Sequence, residues 1–219
     1  MTGVKICSVQ QLDHVLAAAE AGADYVGINF VPGVRRQIVQ SQARLMIQKF
    51  RYEYGYSGPE LVGIFADQGI DEVNRILDDC DLDLAQLSGH ESVEYATQVS
   101  KPVIKAIHVS ADKSVEESIH AIAPLIHQFH SLGIFPLLDP DVGSALGGTG
   151  TTFDWDIAKG LASEGDFLFG GGLNPDTVTS AVQNVQPWGV DVSSGVETNG
   201  MKDTEKIKEF IERVKAQKE

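Results

Sequence analysis

The chain has 219 residues and carries 17 Lys plus Arg against 31 Asp plus Glu, a formal charge of −14. That length suits one hydrophobic core and is short for two, and 42% hydrophobic with 22% charged residues describes a globular protein, not a disordered or fibrous one. The acidic balance argues against nucleic acid or an anionic membrane as partner, since both need a surplus of Lys and Arg. No apolar run approaches the roughly 20 residues of a membrane-spanning helix. The start lacks the basic region and apolar stretch of a secretory signal. Two cysteines, Cys7 and Cys80, are too few for a disulfide framework, so a reducing, cytoplasmic setting is expected.

Eight short apolar runs follow one another along the chain: Val4–Cys7, Tyr25–Phe30, Leu61–Ala66, Leu84–Ser88, Val103–Val109, Phe135–Asp139, Phe167–Gly171 and Gly189–Ser194. Helical periodicity fills the gaps. Leu12, Val15, Leu16 and Ala19 obey the i, i+3, i+4, i+7 rule and end at Gly22. Val73, Ile76, Leu77 and Cys80 repeat it, as do Val178, Ala181, Val182 and Val185, with Asn174 as N-cap and Pro175 at the first helical position. Ile207, Phe210, Ile211 and Val214 form the stripe of a terminal helix. Lys49 to Pro59, rich in tyrosine, reads as an irregular loop away from the expected site. His120, His127 and His130 share a helical face without metal-ligand spacing. Alternating strands and helices predict a parallel sheet of right-handed βαβ units. Eight strand starts about 26 residues apart favour a single-domain (β/α)8 TIM barrel, an α/β fold, spanning 1–219.

In such a barrel the strand C-termini ring one mouth. Two glycine-rich stretches, Phe167 to Asp176 and Gly189 to Glu197, follow the seventh and eighth strands, the usual phosphate position; Gly171, Gly172, Ser193 and Ser194 offer backbone N–H groups and hydroxyls there. Cys7 ends the first strand on the face of Lys5 and is either a structural buried thiol or, if a cation or helix N-terminus lowers its pKa, a candidate base. Asp139 ends an apolar strand: it is either a general acid, if that apolar approach raises its pKa, or a cap of the next turn. Arg36, with Arg35 in the loop after the second strand, suits a carboxylate ligand. Asp191, inside an apolar strand, is either a ligand contact or a member of an internal ion pair. The turn Leu146 to Thr152 lacks the P-loop spacing.

These residues together resemble the phosphoribosylanthranilate isomerase family of tryptophan biosynthesis. The likeness runs nearly end to end and rests on Val4-Lys-Ile-Cys7, Leu137-Leu-Asp139, Gly147-Gly-Thr-Gly150, Phe153-Asp-Trp155, Gly171-Gly-Leu-Asn-Pro175 and Val190-Asp-Val-Ser-Ser-Gly-Val-Glu197. The resemblance implies an Amadori rearrangement of N-(5-phosphoribosyl)anthranilate without a cofactor, by a monomer or homodimer acting on a small phosphorylated molecule. It assigns Cys7 as general base, Asp139 as general acid, Arg36 to the anthranilate carboxylate, Gly171, Gly172, Ser193 and Ser194 to the phosphate, and Asp191 to the site. Three positions depart from the family pattern: Ser8 for glycine, Ser88 for histidine and Thr151 for lysine. The rival readings are a related barrel enzyme such as indole-glycerol-phosphate synthase, with Lys5 or Lys105 as its acid, and a degenerate barrel without activity. With two of the departures removing a potential cation, the positive pole is expected to be thin.

Overall fold

The eight apolar runs become the staves of a closed parallel barrel. In chain order they are β1 (Gly3–Ile6), β2 (Tyr25–Asn29), β3 (Glu60–Phe65), β4 (Leu84–Leu87), β5 (Val103–Val109), β6 (Ile134–Pro140), β7 (Leu168–Phe169) and β8 (Gly189–Val192). Each pairs in parallel with the next, and β8 closes on β1. The structure is a computed structural model that describes residues 2–141 and 153–217. The helices between strands are α1 (Leu12–Ala21), α2 (Gln40–Tyr54), α3 (Ile70–Asp79), α4 (Val93–Ala96), α5 (Val115–Ser131), α6 (Trp155–Leu161) and α7 (Pro175–Val185), with α8 (Thr204–Lys215) at the end. Among the described residues no helix is long and apolar enough to cross a membrane.

Side-chain alternation sorts the core into two layers. Val62, Ile104, Ala106, Leu137 and Leu168 fill the barrel interior. Residues of opposite parity, among them Val103, Ile107 and Leu138, join the larger cluster that includes the buried helix residues. The helical stripes read from the sequence are the buried ones: Val73, Ile76 and Leu77 on α3, and Ile207, Phe210, Ile211 and Val214 on α8. Asn174 caps α7 by accepting from the N–H groups of Asp176 and Thr177, and Pro175 opens the helix.

The stretch from Lys49 differs from its reading as a loop. It is helical through Tyr54, because Phe50 continues the buried face of Met46 and Ile47 and stacks on Tyr54 at 5.1 Å between ring centroids. Two of the tyrosines do face solvent: Tyr52 is 94% and Tyr56 74% exposed.

Candidate active site

The barrel mouth gathers a lysine, a thiol and two carboxylates from three strands. Lys5 and Cys7 point inward from β1, Asp139 from β6 with the parity of Leu137, and Asp191 from β8, where it lies opposite Lys5 in register. Lys5 is fully buried and donates to Asp191 Oδ1 at 2.7 Å. Of the two sequence readings of Asp191, the structure has the internal ion pair. Burial opposes the Lys5 ammonium, but Asp191 and Cys7 outweigh it and its pKa is raised. For Asp139 burial works first, and the neighbouring Asp191 charge adds to it against Lys5. The carboxyl is pushed up to about 7. Burial and Asp191 also push up the Cys7 thiol. Lys5, the Ser8 hydroxyl and Lys202 pull it down without cancelling the rise.

A second cluster lies beside the first. The loop after β2 lays Val31 and Val34 against Cys7 and carries Arg35 and Arg36. Arg36 Nε donates to Glu197 Oε1 at 2.6 Å and its Nη2 to Oε2 at 3.2 Å, while Arg35 Nη2 reaches Oε2 at 2.7 Å. Arg35 also donates to the Gly200 carbonyl. Glu197 belongs to a small antiparallel hairpin after β8, β9 (Glu197–Thr198) with β10 (Met201–Lys202). From β10, Lys202 Nζ donates to the Ser193 carbonyl at 2.7 Å and approaches Glu197 Oε1 at 3.3 Å. Burial disfavours the Glu197 carboxylate, but the hydrogen bonds from Arg36 and Arg35 and the Lys202 charge prevail and hold it at about 2. Burial lowers Lys202 to about 8 against the favourable charges of Cys7 and Glu197. Arg35, Arg36 and Lys202 around a single carboxylate make the positive pole thicker than expected from the sequence.

The two glycine-rich loops meet at this edge. Gly171 and Gly172 have φ of 93° and 66°, a left-handed conformation that only glycine adopts freely. Their N–H groups make no hydrogen bond to other described residues. Gly195 packs so closely on the Leu173 backbone that a Cβ there would overlap its carbonyl, which binds the two loops together. Ser193 and Ser194 enter a single 3-10 turn, Ser194–Val196. The sequence motif at Gly147 to Gly150 and Thr151 lies outside the described residues. Among those described, no group of three or more His, Cys, Asp or Glu is placed to hold a metal ion.

Comparison with known proteins agrees with this geometry. Residues 4–213 match the family model described as N-(5'phosphoribosyl)anthranilate (PRA) isomerase. The chain belongs to this isomerase family. The N-(5'-phosphoribosyl)anthranilate isomerase of Dehalococcoides mccartyi is 42% identical over 215 residues, covering 98% of this chain and 96% of that protein. The crystal structure of phosphoribosyl anthranilate isomerase from Thermotoga maritima superposes with a TM-score of 0.82 at 32% identity, covering 98% and 99% of the two chains. Another isomerase structure, in complex with reduced 1-(o-carboxyphenylamino)-1-deoxyribulose 5-phosphate, has a TM-score of 0.79 at 31% identity over 98% and 99%. The fold and family expected from the sequence are those found.

Against the isomerase pattern, the departures at Ser8 and Ser88 acquire physical content. Ser8 has φ 59°, so it holds the left-handed conformation a glycine would take at less cost. It does not cap α1, whose N-cap is Gln11. Its hydroxyl instead lies 3.4 Å from Asn29 Nδ2 and 3.5 Å from Cys7 Sγ. Ser88 leaves the end of β4 without an imidazole, but His108, in register with Asp139 on β5, sets its Nε2 3.0 Å from the Ser88 carbonyl. Lys105 has the parity of the outer layer, and its Nζ reaches the Leu87 and Gly89 carbonyls and Glu91 at 3.3, 2.8 and 3.0 Å. Lys105, turned outward and held by three acceptors, does not stand at the mouth as the acid of the synthase alternative, and Lys5, which does lie there, has its ammonium engaged by Asp191. Sequence reasoning missed Lys202 and the part played by Glu197. Both belong to a hairpin of two-residue strands, too short to show any periodicity.

Proposed function

We propose that the chain is, as one catalytic unit, an N-(5-phosphoribosyl)anthranilate isomerase of tryptophan biosynthesis that carries out its rearrangement by general acid–base chemistry. The observation that carries the reading is Asp139, a carboxyl raised to about 7 on the same mouth as Cys7 and beside the Lys5–Asp191 pair. A general acid works best with a pKa near the operating pH. Protonated Asp139 gives its proton to the ribose ring oxygen as the C1′–O bond breaks, and the nitrogen lone pair forms the Schiff base. Cys7 then takes the proton from C2′, and those C–H electrons neutralise the iminium to give the enolamine. Loss of the enol proton and protonation at C1′ yield the ketone, so no atom is gained or lost.

The competent form has Asp139 protonated and Cys7 ionised. This is a minority state, because Asp139 holds its proton less tightly than the Cys7 thiol. The Lys202 charge lowers the Cys7 thiol and so enlarges that fraction, and the Schiff-base cation formed in the first step favours the thiolate at the moment it is needed. The N–H groups of Gly171 and Gly172 with Ser193 and Ser194 hold the phosphate through neutral donors, while Arg36 takes the substrate carboxylate beside or in place of Glu197.

The test follows anthranilate fluorescence as the substrate is consumed. Wild-type protein is expected to turn over, while Cys7→Ala and Asp139→Asn each lose about 10²–10⁴-fold in kcat with the fold retained. Full activity in both variants contradicts the assigned acid and base. No turnover by the wild type contradicts the reading altogether.

A further inference from the structure

The carboxylate clamp and the phosphate loop meet at one side chain. Lys202 Nζ donates to the Ser193 carbonyl at 2.7 Å, lies 3.4 Å from the Ser193 hydroxyl and 3.3 Å from Glu197 Oε1. Its side chain is 3% exposed. Ser193 begins the turn whose Gly195 packs on the backbone of Leu173, the residue that follows Gly171 and Gly172 in the chain. Glu197 is the carboxylate on which Arg36 is aligned. A buried ammonium is costly unless its surroundings satisfy it, and these three acceptors come from the two segments that must grip opposite ends of the substrate.

We propose that Lys202 is a positioning residue that fixes the Ser193 phosphate loop and the Glu197–Arg36 clamp to each other through one ammonium. This rests on the isomerase reading above and deepens it. The loop that binds the phosphate and the arginine that binds the carboxylate are then set at a fixed separation before substrate arrives, so that both ends are held while the reacting carbons lie over Cys7 and Asp139. A rigid link of this kind acts on alignment. Its loss costs turnover as well as affinity. Lys206 Nζ, by contrast, donates to the Glu197 backbone carbonyl at 2.9 Å, and Lys208 pairs at the surface with Glu20.

The experiment compares Lys202→Met and Lys202→Arg with the surface control Lys208→Met. Competition by inorganic phosphate and by anthranilate is measured separately, together with kcat and KM. Lys202→Met is expected to weaken both competitors and to lower kcat about 10–100-fold. Lys202→Arg should recover part of each loss and Lys208→Met should match wild type. A variant that retains wild-type kcat and binds both competitors normally overturns the proposal, and so does weakening confined to one competitor. If Lys202→Met does not fold, the side-chain resonances of Lys202 in wild-type protein serve instead. They are expected to shift on adding either competitor, and no shift with one of them overturns the link. Wild-type protein that binds both competitors but lacks turnover contradicts the isomerase reading and leaves the link to be judged by the binding data.

Discussion

Lys5 and Lys105 are two buried lysines, each facing a carboxylate, Asp191 at 2.7 Å and Glu91 at 3.0 Å. In composition and geometry the pairs are nearly alike, yet strand alternation places them on opposite sides of the barrel wall. Lys5 points into the interior, where its charge acts on Cys7 and Asp139. Lys105 points outward and ties down the loop after β4, with two carbonyls among its acceptors. A buried ion pair is therefore no mark of a site by itself. What distinguishes Lys5 is the company of groups that must change protonation.

The contrast is broken most forcefully at Lys105. Lys105→Met leaves Glu91 buried without its cation and is expected to cost about 3–5 kcal/mol in a denaturant titration, with little change in the kcat of folded protein. A fall in kcat as large as that of an acid or base variant erases the distinction. Lys5→Met should show the complementary pattern: beyond its stability cost, kcat falls about 100-fold and the pH–kcat profile moves upward. The direction follows because Lys5 lowers both Cys7 and Asp139, so its removal raises both groups. An unmoved profile assigns Lys5 to packing alone.

A smaller effect comes from Asp139 itself. Its pKa is raised in the folded protein, so the native state holds the proton more tightly and wild type loses stability as pH rises from the ordinary carboxylate range through about 7. Asp139→Asn removes that loss. The variant is expected to be more stable than wild type at pH 8 by on the order of 2 kcal/mol, after discounting for solvent at the open mouth, with the gain fading toward pH 4. Equal stability at both pH values contradicts a raised pKa. Ser8→Gly is the mildest change. Relief of the left-handed strain opposes loss of the contacts to Asn29 and Cys7, so thermal and denaturant unfolding should place it within about 1 kcal/mol of wild type.

Much of this architecture is legible in the residues. The eight apolar runs are visible because strands buried on both faces are nearly continuous hydrophobic stretches, and the caps at Asn174 and Pro175 are local chemistry. Asp139 and Cys7 stand out as the polar ends of such runs. The pairings are not legible, since they join residues far apart in the chain: Lys5 with Asp191 and Arg36 with Glu197 meet only when the barrel closes. Seen from the sequence, Arg36 is available to a ligand, whereas the fold has already given it a carboxylate. The misread end of α2 has a different cause. Tyrosines and a following Ser-Gly-Pro suggest a loop, while Phe50 and Tyr54 stacked one turn apart keep the helix going.

The central claim is that this mouth raises a carboxyl pKa into the physiological range, so that a sizeable share of Asp139 carries its proton there. Titration of the Asp139 side-chain carboxyl by 13C NMR, with the resonance assigned by its absence in Asp139→Asn, tests it most directly. The account predicts a midpoint at about 7. A midpoint near that of an ordinary exposed aspartate, about 4, contradicts it.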